Sequence, residues 1–208
     1  MLTSNKAILG ELFRDNPAAI ASYLTEKMSE NDLDAARTGL SLVMQAQNVQ
    51  MLARDAGLRR DTLYKTFGGR IDPHLSRILK LYDALNVRAG VVPANPSDGL
   101  TRPSSMIADA SNSFAEQLTK ALAGNCFNEA VLALREVAFS QNVSALARAS
   151  AIQRRTIYKT FGGTVDPQLS RILKLFKAMQ LRFVVVPLLP RSRPPRPKLG
   201  RPLKASGT

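Results

Sequence analysis

The side chains in this chain that could do chemistry are hydrogen-bond donors rather than nucleophiles. Arg59, Arg60, Asp61, Tyr64 and Lys65 fall close together, and Gln153, Arg154, Arg155, Tyr158 and Lys159 repeat the pattern 94 residues later. Arginine offers a planar fork of N–H groups that fits the O6 and N7 edge of guanine, and aspartate can accept from cytosine N4. A catalytic centre is not expected. His74 and Cys126 are single residues of their kind, which excludes a disulfide framework and a Cys- or His-based metal cluster. No nucleophile stands with a base, and no glycine loop has the pattern that cradles phosphate, so neither an enzyme nor a cofactor is expected.

The donors sit in a recurring frame. From Val49 to Lys65, small Ala53 stands where two helices would cross, Gly57 follows four residues later at a turn, and Leu58 and Leu63 would anchor the second helix. This is the spacing of a helix-turn-helix, whose second helix enters the major groove. The second copy keeps Ala147, with Ile152 and Ile157 as anchors, but has Ala151 where the turn wants a positive φ. A differently shaped loop is expected there. Gly68-Gly69 and Gly162-Gly163 read as helix stops.

That frame belongs to a long internal repeat. Gln47 to Pro93 aligns without gaps on Gln141 to Pro187, with 28 of 47 positions identical, and fainter identities carry the match back to about residue 20. Each copy reads as mostly helical. Asn16-Pro17 is a cap followed by proline in the first turn. Leu33, Ala36, Leu40, Val43 and Met44 form one stripe. Leu75, Ile78, Leu79, Tyr82 and Leu85 form another, repeated as Leu169, Ile172, Leu173, Phe176 and Met179. Each copy closes with a β-like run, Val87 to Val92 and Leu181 to Val186, before a proline. A lone strand is not stable, so these two are expected to pair with each other. His74 is expected as an exposed residue of a helix's first turn.

The expected organisation is therefore mainly α, with a first unit at 1–93, a Pro/Ser/Asn/Gly-rich linker at 94–112, a second unit at 113–189 and a basic, proline-rich tail at 190–208. The formal charge is +13 overall, carried unevenly: residues 1–48 are −2 and 49–93 are +4, while 114–142 are −1 and 143–187 are +7. Basic charge confined to the later half of each copy marks the face for a polyanion. The tail adds six basic residues and no acid. Its Gly200-Arg201-Pro202 resembles part of an AT-hook, with Leu199 where that motif has arginine. A disordered arm making phosphate contacts is the simpler reading. No run of about 18 apolar residues and no cleavable leader pattern is present, so a cytoplasmic protein without membrane contact is expected.

With these residues in view, Asn16 to Pro93 resembles the HigA-type addiction-module antidote proteins of bacteria. The likeness rests on the early helix pair, Leu52-Ala53-Arg54 with Gly57-Leu58, Leu63-Tyr64-Lys65, and the later Pro73 to Lys80, and it extends to both units. The resemblance implies a lambda-repressor-like helix-turn-helix in each unit, binding to double-stranded DNA, and often a RelE-like toxin as partner. Carried over by position, it assigns base readout to Arg59, Arg60, Asp61, Tyr64 and Lys65 and to Gln153, Arg154, Arg155, Tyr158 and Lys159. Arg77, Lys80, Arg171, Lys174 and Arg201 are assigned to phosphates. Two departures matter. The serine usual at the start of the recognition helix is Arg59 in one copy and Gln153 in the other, removing a good N-cap. Family members are usually single units that dimerise, whereas duplication suggests a pseudo-dimer within one chain, with a homodimer of such chains as the other assembly.

The expected function is a sequence-specific transcriptional regulator, a repressor or antitoxin-like regulator. The competing class is an antitoxin that masks a toxin through the acidic helices of residues 11–48, with DNA binding secondary. RNA binding or nucleoid packaging is supported only by the charge. For the arginines and lysines themselves, the competing reading is a solvated, solubilising face.

Overall fold

The computed structural model describes residues 10–14, 16–94 and 105–189. The tail at 190–208, with Arg201, lies outside the described residues. The fold is mainly helical, with one short strand near the end of each half. The first half runs α1 (Pro17–Met28), α2 (Leu33–Ala46), α3 (Val49–Asp55), α4 (Arg60–Phe67), α5 (Leu75–Leu85) and β1 (Val87–Pro93). The second runs α6 (Ser105–Leu122), α7 (Phe127–Phe139), α8 (Val143–Ser150), α9 (Arg154–Phe161), α10 (Leu169–Ala178) and β2 (Leu181–Pro187). Helix α6 starts at Ser105, so its first turns fall inside the stretch whose composition reads as a linker.

Local sequence explains most of the helix starts. Asn16, Asp32, Asn48 and Asn142 each accept a hydrogen bond from a first-turn amide, satisfying a donor that the helix itself leaves open. The apolar stripes expected from sequence are buried: Leu24, Leu40, Val43, Leu75, Leu79, Ile172, Leu173 and Phe176 are all at most 2% exposed. Helix ends at Asn31, Asn86, Asn125 and Gln180 take positive φ, and three of the four are asparagine, a residue that tolerates the left-handed region.

β1 and β2 pair antiparallel, as expected, over all seven residues of each. At the centre Gly90 faces Val184, its own counterpart under the 94-residue repeat, so the pairing is that of an approximate two-fold axis inside one chain. A Cβ on Gly90 would sit 3.1 Å from Val184 Cγ2 and 3.7 Å from Thr119 Cγ2, so glycine lets the strands and α6 close up.

The helices covering this ribbon are exchanged between halves. α1 of the first half packs on β2 of the second, and α6 of the second packs on β1 of the first. Thr119 Oγ1 donates to Val91 O at 2.8 Å and accepts from Val91 N at 2.8 Å. Its counterpart Thr25 does the same to Val185, at 3.1 and 2.8 Å. Asn31 Nδ2 donates to Leu181 O at 2.8 Å, and Asn125 Nδ2 to Val87 O at 3.0 Å. Neither strand is covered by its own half alone.

The turn between α8 and α9 corrects one expectation. Ala151 does not reshape it: its φ is 53°, beside 60° at Gly57, and Ile152 N bonds to Ala147 O at 3.2 Å as Leu58 N bonds to Ala53 O at 2.9 Å. The anchoring of Ile152 and Ile157 in the core outweighs alanine's reluctance, which costs about 1 to 2 kcal/mol for an L-residue in the left-handed region. Ala151→Gly should therefore raise stability by about 1 kcal/mol once glycine's extra unfolded-state entropy is set against the relief. Gly57→Ala, where a Cβ meets nothing within 4 Å, should lower it by a similar amount. Denaturant midpoints at constant slope check both.

Candidate nucleic-acid interface

α4 and α9 occupy equivalent places, each following a short helix across a tight turn, residues 56–59 in the first half and 151–153 in the second, and lying against that helix. Leu63 and Phe67 bury one face of α4, and Ile157, Thr160 and Phe161 bury one face of α9. The opposite faces carry the predicted readers. Arg59, Arg60, Asp61, Tyr64 and Lys65 are all exposed, as are Gln153, Arg154, Arg155, Tyr158 and Lys159.

The local geometry is alike in the two faces. Arg60 lies over the ring of Tyr64 at 5.6 Å, and Arg154 lies over Tyr158 at 5.7 Å. Such a contact orients the guanidinium, and Arg154 Nη2 also donates to the Tyr158 hydroxyl at 3.5 Å. The tyrosines are about half exposed, 45% and 46%, so each is partly packed with its polar end outward. Neither Arg59 nor Gln153 makes a side-chain cap, in line with the missing serine.

The electrostatics differ. α4 has Asp61 in its first turn, where the positive end of the helix favours an acid, and Asp61 faces Arg59 at 3.7 Å. Both partners are exposed, so that pair is weak. α9 has no acid there, and Arg154 and Arg155 crowd positive charge onto a positive helix end. Such an arrangement costs stability unless an anion sits against it.

The residues assigned to phosphates divide. Lys80 and Lys174 are exposed, whereas Arg77 and Arg171 are half-buried. Arg171 Nη1 donates to Thr160 Oγ1 at 3.1 Å, so it braces the back of α9. His74 is the residue before α5, not in its first turn, and it forms a β-bridge with its counterpart Gln168.

Sequence reasoning missed a groove of about 630 Å³ beside α9, lined by Leu132, Arg135, Glu136, Phe139, Tyr158 and Gly162. Tyr158 stacks on Phe139 at 5.3 Å. The signal was present in the divergence between copies, since the first half has Thr38, Ser41, Leu42 and Gln45 where the second has Leu132, Arg135, Glu136 and Phe139. Among the described residues no cluster of His, Cys, Asp and Glu could hold a metal, and no helix is long and apolar enough to cross a membrane.

Comparison with known proteins finds one family in both halves of the chain. A family model described as "Probable addiction module antidote protein" matches residues 10–93 and again residues 103–187. A protein of Haemophilus influenzae described as uncharacterized is 33% identical over 69 residues, covering 33% of this chain and 71% of that protein. No solved structure matches the chain. The two matched ranges together take in most of the sequence, and the chain belongs to the probable addiction module antidote family.

Proposed function

We propose that this protein is a non-enzymatic, sequence-specific DNA-binding regulator, a repressor or antitoxin-like regulator of the HigA type, that uses two lambda-repressor-like helix-turn-helix units as a covalent pseudo-dimer. The units are residues 1–93 and 113–189, joined by 94–112, with 190–208 as a basic arm. The observation that carries this reading is the pair of equivalent, exposed, donor-rich faces on α4 and α9, held in one body by a ribbon whose centre pairs counterpart residues. Arg59, Arg60, Asp61, Tyr64 and Lys65, with Gln153, Arg154, Arg155, Tyr158 and Lys159, read base edges, and Arg77, Lys80, Lys174 and Arg201 contact phosphates. Arg171 contributes chiefly by holding α9.

Binding to a duplex selected from random DNA should fall linearly in log affinity against log salt, with a slope of about −0.9 per phosphate contacted. Removing residues 190–208 should flatten the slope and weaken all sequences alike. A salt-independent affinity would remove the DNA reading, and a loss confined to A·T-rich duplexes would make the arm an AT-hook.

Family membership favours a second reading, in which the protein neutralises a RelE-like toxin by direct contact and binds DNA secondarily. Glu30, in the turn after α1, and Asp34, in the first turn of α2, are exposed, with Asp34 paired to Arg37 at 2.7 Å. A Glu30→Lys, Asp34→Lys double variant should lose capture of a toxin encoded beside the gene while keeping DNA affinity within about three-fold, since surface charges far from the reading helices act weakly. Loss of both would assign this region to the fold alone.

A further inference from the structure

The internal two-fold is fixed by contacts at two places. One is the Gly90–Val184 centre of the ribbon. The other is the His74–Gln168 bridge, where the halves exchange matched bonds: Leu75 N to Pro167 O at 2.9 Å and Leu169 N to Pro73 O at 2.8 Å. Ser76 N donates to Asp166 Oδ1 at 3.2 Å, and Ser170 N to Asp72 Oδ1 at 3.1 Å. Helix α5, about 16 Å long at 1.5 Å per residue, runs from the bridge towards the ribbon, as does α10. In chain order each reading helix leads into this bridge, α4 ending at Phe67 before His74 and α9 at Phe161 before Gln168. The seven residues from Phe67 to His74 allow a reach of roughly 25 Å. Half-sites one turn apart, about 34 to 36 Å, would put each reading helix about 17 Å from the axis, within that reach.

A paired surface flanks this end of the axis. Ile71 and Val165 are counterparts and are 42% and 38% exposed, large apolar side chains left in water in both halves. Arg70 is exposed beside Ile71, with Thr164 as its counterpart, and His74 is exposed opposite Gln168. His74 Nδ1 lies 2.9 Å from Asp166 O, which makes Nδ1 the donor and leaves Nε2 for a ligand. None of these residues belongs to either reading helix, and Asp72 and Asp166 are spent on amides of the opposite half.

We infer that Arg70, Ile71 and His74, with Thr164, Val165 and Gln168, form a third DNA-contacting element that binds the minor groove at the centre of the operator, between the two half-sites. This rests on the DNA-binding reading above. The physical case is that two major-groove helices one turn apart leave a minor groove facing the axis between them. An arginine suits a narrow A·T-rich minor groove, and paired apolar side chains suit the floor or a base step of the same groove. Because Arg70 has Thr164 as its counterpart and His74 faces Gln168 across the axis, the central preference should itself be asymmetric.

The test uses the full chain and selection of binding sites from a random duplex library. The wild type should enrich both half-sites and also an A·T-rich centre. Exchanging that centre for G·C should weaken binding about ten-fold, the scale of one or two disfavoured base pairs. The Arg70→Ala, Ile71→Ala, Val165→Ala variant, altered only at exposed positions, should keep the half-site preferences and lose the central one. His74→Gln, which places on one side the residue the fold already accepts on the other, should make the central preference more symmetric. Enriched half-sites around a random centre, or a central preference unchanged in the triple variant, would overturn the inference alone. The absence of any enriched site would overturn the DNA-binding reading with it.

Discussion

Phe176→Ala should destabilise both halves of the molecule together, by about 3 to 5 kcal/mol, in one unfolding transition. Phe176 is fully buried on α10, with its ring 4.7 Å from that of Phe183 on β2. The cavity left behind would loosen β2, and β2 is the strand on which α1 of the first half packs. Thr25, with two bonds to Val185, would lose its fixed partner, and the damage would pass into the first half through α1 and α2. Two duplicated domains that merely followed one another would respond otherwise, with the second half unfolding early and the first unaffected. Hydrogen exchange on amides of α3 and α8 distinguishes these outcomes. Equal loss of protection at both helices is expected, and loss confined to α8 would mean that the exchanged helices do not couple the halves.

Arg60→Ala and Arg154→Ala should each cost about 1 to 3 kcal/mol of binding free energy and relax selection at one base position, each in its own half-site. The two arginines are counterparts in the repeat and take the same pose over a tyrosine, so they should read a guanine that both half-sites share. They lie on separate helices without common partners, so the double variant should lose the sum, about 2 to 6 kcal/mol. The neighbouring position should break the symmetry, because Asp61 accepts where Arg155 donates. The operator should then be an imperfect inverted repeat, and Asp61→Arg should move the selected site towards symmetry. Titration and site selection with these variants check the account, and a wild-type site already symmetric would remove residue 61 from the reading surface.

Much of the fold was legible because its determinants are local. The helix stripes, the cap at Asn16, the glycine stops and the pairing of the two β-runs follow from spacing and from the repeat. What was not legible depends on contacts between residues far apart in the chain. Thr25 reaches Val185 and Asn31 reaches Leu181, and no periodicity reveals that each strand is covered by the other half's first helix. Asp72 and Asp166 precede prolines just before α5 and α10, yet each bonds to an amide of the opposite half's helix, Asp166 to Ser76 and Asp72 to Ser170. Ala151 misled because its cost is local while the anchoring that imposes its φ is tertiary. The groove beside α9 depends on differences between the copies, at positions such as Phe139 against Gln45, and not on the residues they share.

A single chain is expected to supply both reading helices to one operator. The most direct measurement is the mass of the complex formed between the 22.7 kDa chain and a duplex selected from random DNA, taken by sedimentation or native mass spectrometry at protein concentrations spanning the binding curve. One chain per duplex is expected throughout, with both half-sites protected in that complex. Two chains per duplex, or one chain protecting a single half-site, would contradict it.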